Sequence, residues 1–343
     1  ALEFVMKKER LFYLDFIRTI ATISILLTHF NAIYIFSYPE QSDKAVITSR
    51  VFGLYIGDFG VSLFFIISGA ALMYIYGEKM DLKTFYYKRF KSIFPMFWLA
   101  YFFAFLYYFF INKSIPAGIP KRNFLLTIFG FDGYLSSLGV HVPNFYILGE
   151  WFLGAIILLY LIFPLLRIGV KKYPVLSALI VGIIYIVCSS ICSGGLTKSC
   201  IIFNRIPEMI FGMYFIEYYN KVNVKVAIIS LLICIINSFV DFPFNSTIQT
   251  TYVGIAAFML LVYISTHLNN SMLIKFCEKI SKYSYAVFLV HHILIQEITK
   301  SYDMSTISRT NSYVLFILCC VVIGFFAKIL FSIDYYISKE ITK

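Results

Sequence analysis

A chain of 343 residues with 60% hydrophobic and only 14% charged side chains is not an ordinary soluble domain, in which about a quarter of the residues are charged. A mean hydropathy of +0.82 points to an all-α polytopic membrane protein, because helices satisfy their own backbone in lipid. The net charge of +11 is no argument for nucleic acid, since Lys and Arg in such a chain first set topology.

In chain order, Ala1–Val5 reads as a vector-derived remnant ahead of a start at Met6 and is set aside. No cleavable signal peptide is expected, since the first apolar run is too long and no small-residue cleavage site follows it. About ten transmembrane helices are predicted, over 11–33, 54–76, 92–111, 147–166, 174–192, 201–218, 224–240, 250–266, 283–299 and 312–335. The sixth, opened by IIFNRIPEMIFGMYF, is the least regular, and Pro207 predicts a kink or break there. With ten spans both termini share one side. Placing them in the cytoplasm puts 19 Lys and Arg inside and 8 outside, with Arg18 and Arg205 inside spans. The organisation expected is a remnant and cytoplasmic arm over 1–10, one membrane domain over 11–335 and a cytoplasmic tail over 336–343. The outside stretch Asn112–Asn144, with Pro116, Pro120 and Pro143, is long enough to fold over the membrane face and shape a mouth. Most of the seven Cys lie in apolar runs and read as buried hydrophobes, whereas Cys192 and Cys200 flank a short outside loop at a spacing that permits a disulfide. Gly57, Gly60 and Gly69 allow close helix approach. Such small-residue patches serve packing within the chain and a homodimer interface equally well.

The stretch Leu11–Ile33 carries Asp15, Arg18 and His29 inside a span, where ionisable groups are costly and mark function by default. Arg18 and His29 are eleven residues apart, almost on one helix face and about 16 Å apart along the axis. His29 is either a satisfied bundle histidine or a general base for a hydroxyl. Arg18 needs a partner, Asp15 or Glu208, and a structural ion pair is the plainer alternative. In YYKRFKSIFPMFW, Lys88, Arg89 and Lys91 are either positive-inside charge or a phosphate-binding collar. For Lys91 the first reading is preferred. No metal motif is found. His291 and His292 lie about 100° apart on a helix, so they are not expected to share one metal, and one of them is expected to face a cavity while the other caps or packs.

Taken together these blocks resemble the acyltransferase-3 family of integral membrane acyltransferases. LDFIRTIATISILLTHF is similar to its opening, an Arg and a His separated by ten residues, here Arg18 and His29. GVSLFFIISG resembles its second-span signature, with Ser62 where many members have an acid. KRFKSIFPMFW, WFLGAIILLYLIFPLL (with Trp151, and Ile156 where many members have Glu), NRIPEMIFGMYF (with Arg205, Glu208 and Gly212) and ISKYSYAVFLVHH (ending in His291 and His292) are similar to later family blocks, in family order. The resemblance implies an acyl-CoA donor on the cytosolic side, usually acetyl-CoA, and transfer to a hydroxyl of an extracytoplasmic or lipid-linked polysaccharide at a plasma membrane, here of a bacterium. It implies His29 and Arg18 as the essential pair and Arg89 at the donor entrance. The expected site is then His29 as base with Arg18 and Asp15, a CoA collar of Lys88, Arg89 and Lys282, and further cavity groups Arg205, Glu208, Trp151 and His291. Expected partners are membrane lipid, acyl-CoA and a glycan, with no nucleic acid and no metal. Succinyl transfer to the same acceptor class is one alternative. A glycan or solute transporter using the same charged stripe is the other.

Overall fold

The computed structural model of the chain describes residues 8–191 and 196–341. Apart from one small hairpin the described chain is helical: α1 (Phe12–Ala32), α2 (Ile56–Tyr76), α3 (Leu82–Asn112), α4 (Asn123–Ile128), α5 (Asp132–Ser137), α6 (Glu150–Lys172), α7 (Pro174–Ile191), α8 (Leu196–Cys200), α9 (Ile206–Tyr214), α10 (Val224–Phe239), α11 (Ser246–Ser265), α12 (Ser271–Thr299) and α13 (Arg309–Ile341). The hairpin pairs β1 (Arg50–Val51) with β2 (Leu54–Tyr55), and its two-residue turn places Phe52 at φ +51 and Gly53 at φ +79. Helix starts follow from capping. Asp81, Asn223, Asn245 and Asn270 each accept a backbone N–H from the first turn of α3, α10, α11 and α12.

The expected ten spans become seven among the described residues: Phe12–Ser37, Ile56–Tyr76, Leu82–Asn112, Glu150–Lys172, Pro174–Ile191, Ser246–Ser265 and Arg309–Glu340 are long and apolar enough to cross a bilayer. Three predicted spans fall away for distinct reasons. The stretch 201–218 breaks into a 3₁₀ turn, the nine-residue α9 with Pro207 in its first turn, and a π turn at Phe215–Tyr219. This is the interruption that Pro207 predicted. The helix over 224–239 has 16 residues, short of the about 20 that a bilayer requires. The stretch 283–299 is only the second half of the 29-residue α12, which also carries Lys275, Glu278, Lys279, Lys282 and Glu297. The even count that placed both termini on one side is therefore not retained. Both residues 1–7 and Cys192 lie outside the described residues, so the Cys192–Cys200 pairing does too.

Two helix pairs position the site. The first is α1 with α12, which run parallel: Thr19 Oγ1 donates to the Cys277 carbonyl at 3.3 Å near one end, and the rings of His29 and His291 lie 4.7 Å apart near the other. The second is α2 with α9, which cross at backbone contact. A Cβ at Gly69 would lie 1.9 Å from the Met209 carbonyl oxygen, and one at Gly212 would lie 2.0 Å from that of Ile66. Gly57 and Gly60 sit against Thr28 and Ser24 of α1, so the close approach expected of this segment is present. Ser62 is wholly buried against α11, its hydroxyl facing the Thr250 carbonyl at 3.5 Å. One end of the bundle gathers Arg10, Lys79, Arg167 and Lys171. There Arg167 donates to the carbonyls of Tyr76, Gly77 and Glu78. Below it is called the basic end.

The stretch after α3 is folded rather than loose. Trp98 Nε1 donates to the Ile128 carbonyl at 2.8 Å, Asn123 to that of Pro143 at 2.7 Å, and Tyr146 to that of Tyr101. Buried Asp132 accepts from Thr127, Asn144 and the Gly133 N–H. The segment closes on Gly149 and Glu150, with φ of +79 and +48, and α6 begins at once.

Candidate active site

A cavity of about 890 Å³ lies between α1, α2, α6 and α12. Arg18, Lys282, Ser281 and Tyr160 line it toward the basic end, and His29, Glu150, His291, Asp58 and Trp151 line it toward the other. Arg18 and His29 thus share one cavity, as their spacing on α1 predicts. The wall is mostly apolar, contributed by residues such as Ile25, Leu26, Val61, Phe64, Ile93 and Phe288.

His29 is held among three groups. Its Nε2 lies 3.5 Å from Glu150 Oε2, and both side chains are about one-fifth exposed. The rings of His291 and His292 stand 4.7 and 5.0 Å away. His292 Nδ1 lies 2.7 Å from Glu150 Oε1, and its Nε2 takes a 3.0 Å hydrogen bond from Gln296. His291 Nδ1 donates to the Phe288 carbonyl at 2.7 Å, which leaves Nε2 as a bare lone pair. That atom is buried and has no hydrogen-bond partner among the described residues. One donor atom each from His29, Glu150 and His291 lie within 4.8 Å of one another.

Glu150 reaches this position through the backbone. A non-glycine residue at φ +48 is uncommon and costs on the order of 1–3 kcal/mol, and such strain collects at functional sites. The left-handed pair Gly149–Glu150 lets a folded loop end and a helix start at the same point, with the carboxylate turned toward α1 and α12.

At the opposite end Arg18 Nη1 donates to Ser281 Oγ at 3.0 Å, and no carboxylate lies within ion-pair distance of it among the described residues. Asp15, expected as its partner, is taken by Arg10 at 2.5 Å and does not line the cavity. Glu208, the other expected partner, belongs elsewhere. It pairs with the fully buried Arg205 at 3.0 Å, and Asp58 lies 3.7 Å from the same guanidinium. Arg205 stacks over Phe65 and Trp151, with centroids 5.7 and 5.8 Å away. Arg205 and Glu208 therefore stand behind the cavity wall, where they fix Trp151 and Asp58, and do not line the space themselves. Among the collar residues Lys282 lines the cavity and Lys88 is exposed outside it. Arg89 sits over the rings of Tyr76 and Tyr160, the second of which is cavity wall.

Sequence reasoning missed Glu150 and Asp58. Two acids were sought at positions 62 and 156, and the carboxylates that face the cavity come from residues 58 and 150 instead, four and six positions earlier. Only the acid's place at the head of its apolar run signalled either. Of the two adjacent histidines, His291 lines the cavity and His292 does not, as expected, although both rings stand against His29. The absence of a metal motif in the sequence does not exclude a metal cluster in space, since its donors come from three separate helices.

No curated protein and no solved structure matches this chain. A full-length match to the family described as an acyltransferase domain, Acyl_transf_3, covers residues 11–333. Seven long apolar helices, a charged cavity between them and that match agree: the chain belongs to the acyltransferase-3 family of integral-membrane acyltransferases.

Proposed function

We propose that this acyltransferase moves a short acyl group, acetyl in the first instance, from cytosolic acyl-CoA to a hydroxyl of an extracytoplasmic or lipid-linked cell-surface polysaccharide. The observation that carries the reading is the polarity of the cavity: Arg18 and Lys282 line one end, and His29 with Glu150 and Asp58 line the other. Positive charge favours the cytoplasmic side, so the basic end faces the donor. Arg18 and Lys282 attract the anionic part of CoA, with Arg89 beside the same wall at Tyr160. A half-buried guanidinium whose partner is a neutral serine is suited to an anionic ligand. The Arg18–His29 separation, about 16 Å by helical rise, is comparable with an extended pantetheine arm. Such a donor sets its thioester beside His29.

In the reaction, Glu150 accepts from His29 Nε2–H and fixes the tautomer, leaving Nδ1 to take the acceptor's proton. The 3.5 Å separation is long for a formed hydrogen bond, and catalytic hydrogen bonds commonly tighten only once substrate is bound. The acceptor oxygen attacks the thioester carbonyl, the C–S bond breaks, and the proton held by His29 passes to the departing thiolate. Transfer is direct, with no acyl-enzyme. Trp151 and Asp58 at the acceptor end suit a sugar ring and its hydroxyls.

The test is release of free CoA thiol by purified protein from acetyl-CoA or succinyl-CoA, with and without lipid-linked glycan from the source cells. Glycan-stimulated release that falls on the order of 10²–10⁴-fold in a folded His29→Ala variant supports the reading. Wild-type protein that is folded, supplied with its glycan and inert toward both donors overturns it in favour of a transporter.

A further inference from the structure

We infer that His29, Glu150 and His291 form a zinc(II) site that shuts the catalytic base when filled; the inhibitory part rests on the acyl-transfer reading above. Two histidines and one glutamate, each offering a donor atom within 4.8 Å of the others, form a ligand set zinc uses when one position stays open. The closest measured pair, His29 Nε2 and Glu150 Oε2 at 3.5 Å, is already near the donor separation set by tetrahedral bonds of about 2.0–2.2 Å. The open position faces the cavity that all three residues line.

Two further features point to a ligand. His291 Nε2 is a buried lone pair with no partner among the described residues, on a residue that is 1% exposed. A buried acceptor left unmatched is costly, and a cation at the cluster would match it. The outer contacts are also those of a metal site. His291 gives its other ring N–H to a backbone carbonyl, the arrangement that fixes a metal-binding tautomer. His292 Nδ1 stands 2.7 Å from the second oxygen of Glu150, Oε1, whereas Oε2 is the one that faces His29 and is left for the ion. Imidazole donors favour a borderline ion such as Zn²⁺ over Mg²⁺, which prefers an oxygen octahedron.

An ion on His29 Nε2 displaces the proton there to Nδ1. The imidazole then has no free lone pair and cannot accept a proton from the acceptor hydroxyl. No covalent chemistry or electron transfer is involved.

The experiment uses full-length protein in detergent, stripped with EDTA and titrated with Zn²⁺ or Mg²⁺ by calorimetry, with bound metal counted by mass spectrometry. One zinc per chain and no magnesium are expected. His291→Gln is expected to weaken zinc at least about tenfold, and His292→Gln about 10–100-fold through loss of the outer contact. Because a variant can fail to fold, cobalt(II) in the wild type supplies a second readout: visible bands of a low-coordinate nitrogen and oxygen site, without thiolate charge transfer. Failure to retain zinc, zinc bound equally by folded His291→Gln, or a thiolate signature from the cysteines overturns the site. In the thiol-release assay zinc is expected to stop transfer and EDTA to restore it. Transfer that continues with zinc bound overturns the inhibitory role. Zinc binding by a protein inert in transfer leaves the site standing and removes the acyl-transfer reading. Protein that transfers normally but takes up no zinc in the titration does the reverse.

Discussion

Glu150 is the residue on which backbone and chemistry converge. Its carboxylate is shared between His29 and His292, and its backbone is left-handed. Glu150→Gln keeps the volume and removes the charge. Transfer is expected to fall at least about tenfold, the equivalent of about 1.4 kcal/mol in the barrier, while thermal unfolding in detergent is little changed. Unaltered turnover in a folded variant would show that the carboxylate does not position the base. Arg18→Gln makes the matching prediction at the other end of the cavity. The KM for acyl-CoA should rise by about tenfold or more, whereas use of an acyl-pantetheine lacking the nucleotide should be much less affected, because that donor has no phosphates to lose. Equal damage to both donors would assign Arg18 a structural role. His29 and Arg18 were legible because charge inside an apolar run is conspicuous. Glu150 was not, because it stands at the boundary of its run, where an acid is unremarkable in a helix's first turn.

Among the elements, the α2–α9 crossing has the least slack. Gly69 and Gly212 each face a carbonyl at a distance that no Cβ can share. Gly212→Ala forces the helices apart and is expected to cost roughly 1–3 kcal/mol or more, read as a lower unfolding temperature and reduced folded yield. Since α9 also carries Glu208, with Arg205 immediately before it, the same change should loosen the support of Trp151. The stretch between α3 and α6 offers a separate test. Asp132→Ala leaves three donors unmatched and is expected to destabilise that segment by about 1–3 kcal/mol, seen as faster proteolysis within 113–149 and a loss of activity through the displaced Glu150. Unchanged proteolysis would separate that loop from the site. Most helices could be read from hydrophobic runs, capping residues and Pro207. The count of spans could not, because an apolar run does not show whether its helix is broken, as at 201–218, or is half of a longer charged one, as at 283–299.

For the whole molecule, family and membrane character follow from features spread along the chain, and order was enough to read them. The site required the third dimension. Its acids and imidazoles come from α1, α2, α6 and α12, and no local pattern links Asp58 to Trp151 or His29 to Glu150. Parallel packing of α1 and α12 adds one property that neither helix has alone. His29 and Arg18 on one helix are matched by His291 and Ser281 on the other, at spacings of eleven and ten residues. The pair works as a ruler. A slip of one helix past the other would unseat both contacts at once, so on the acyl-transfer reading proposed above the donor is expected to be gauged by length: an arm shortened by a few atoms would leave the carbonyl short of the imidazole even with its anionic end fully bound.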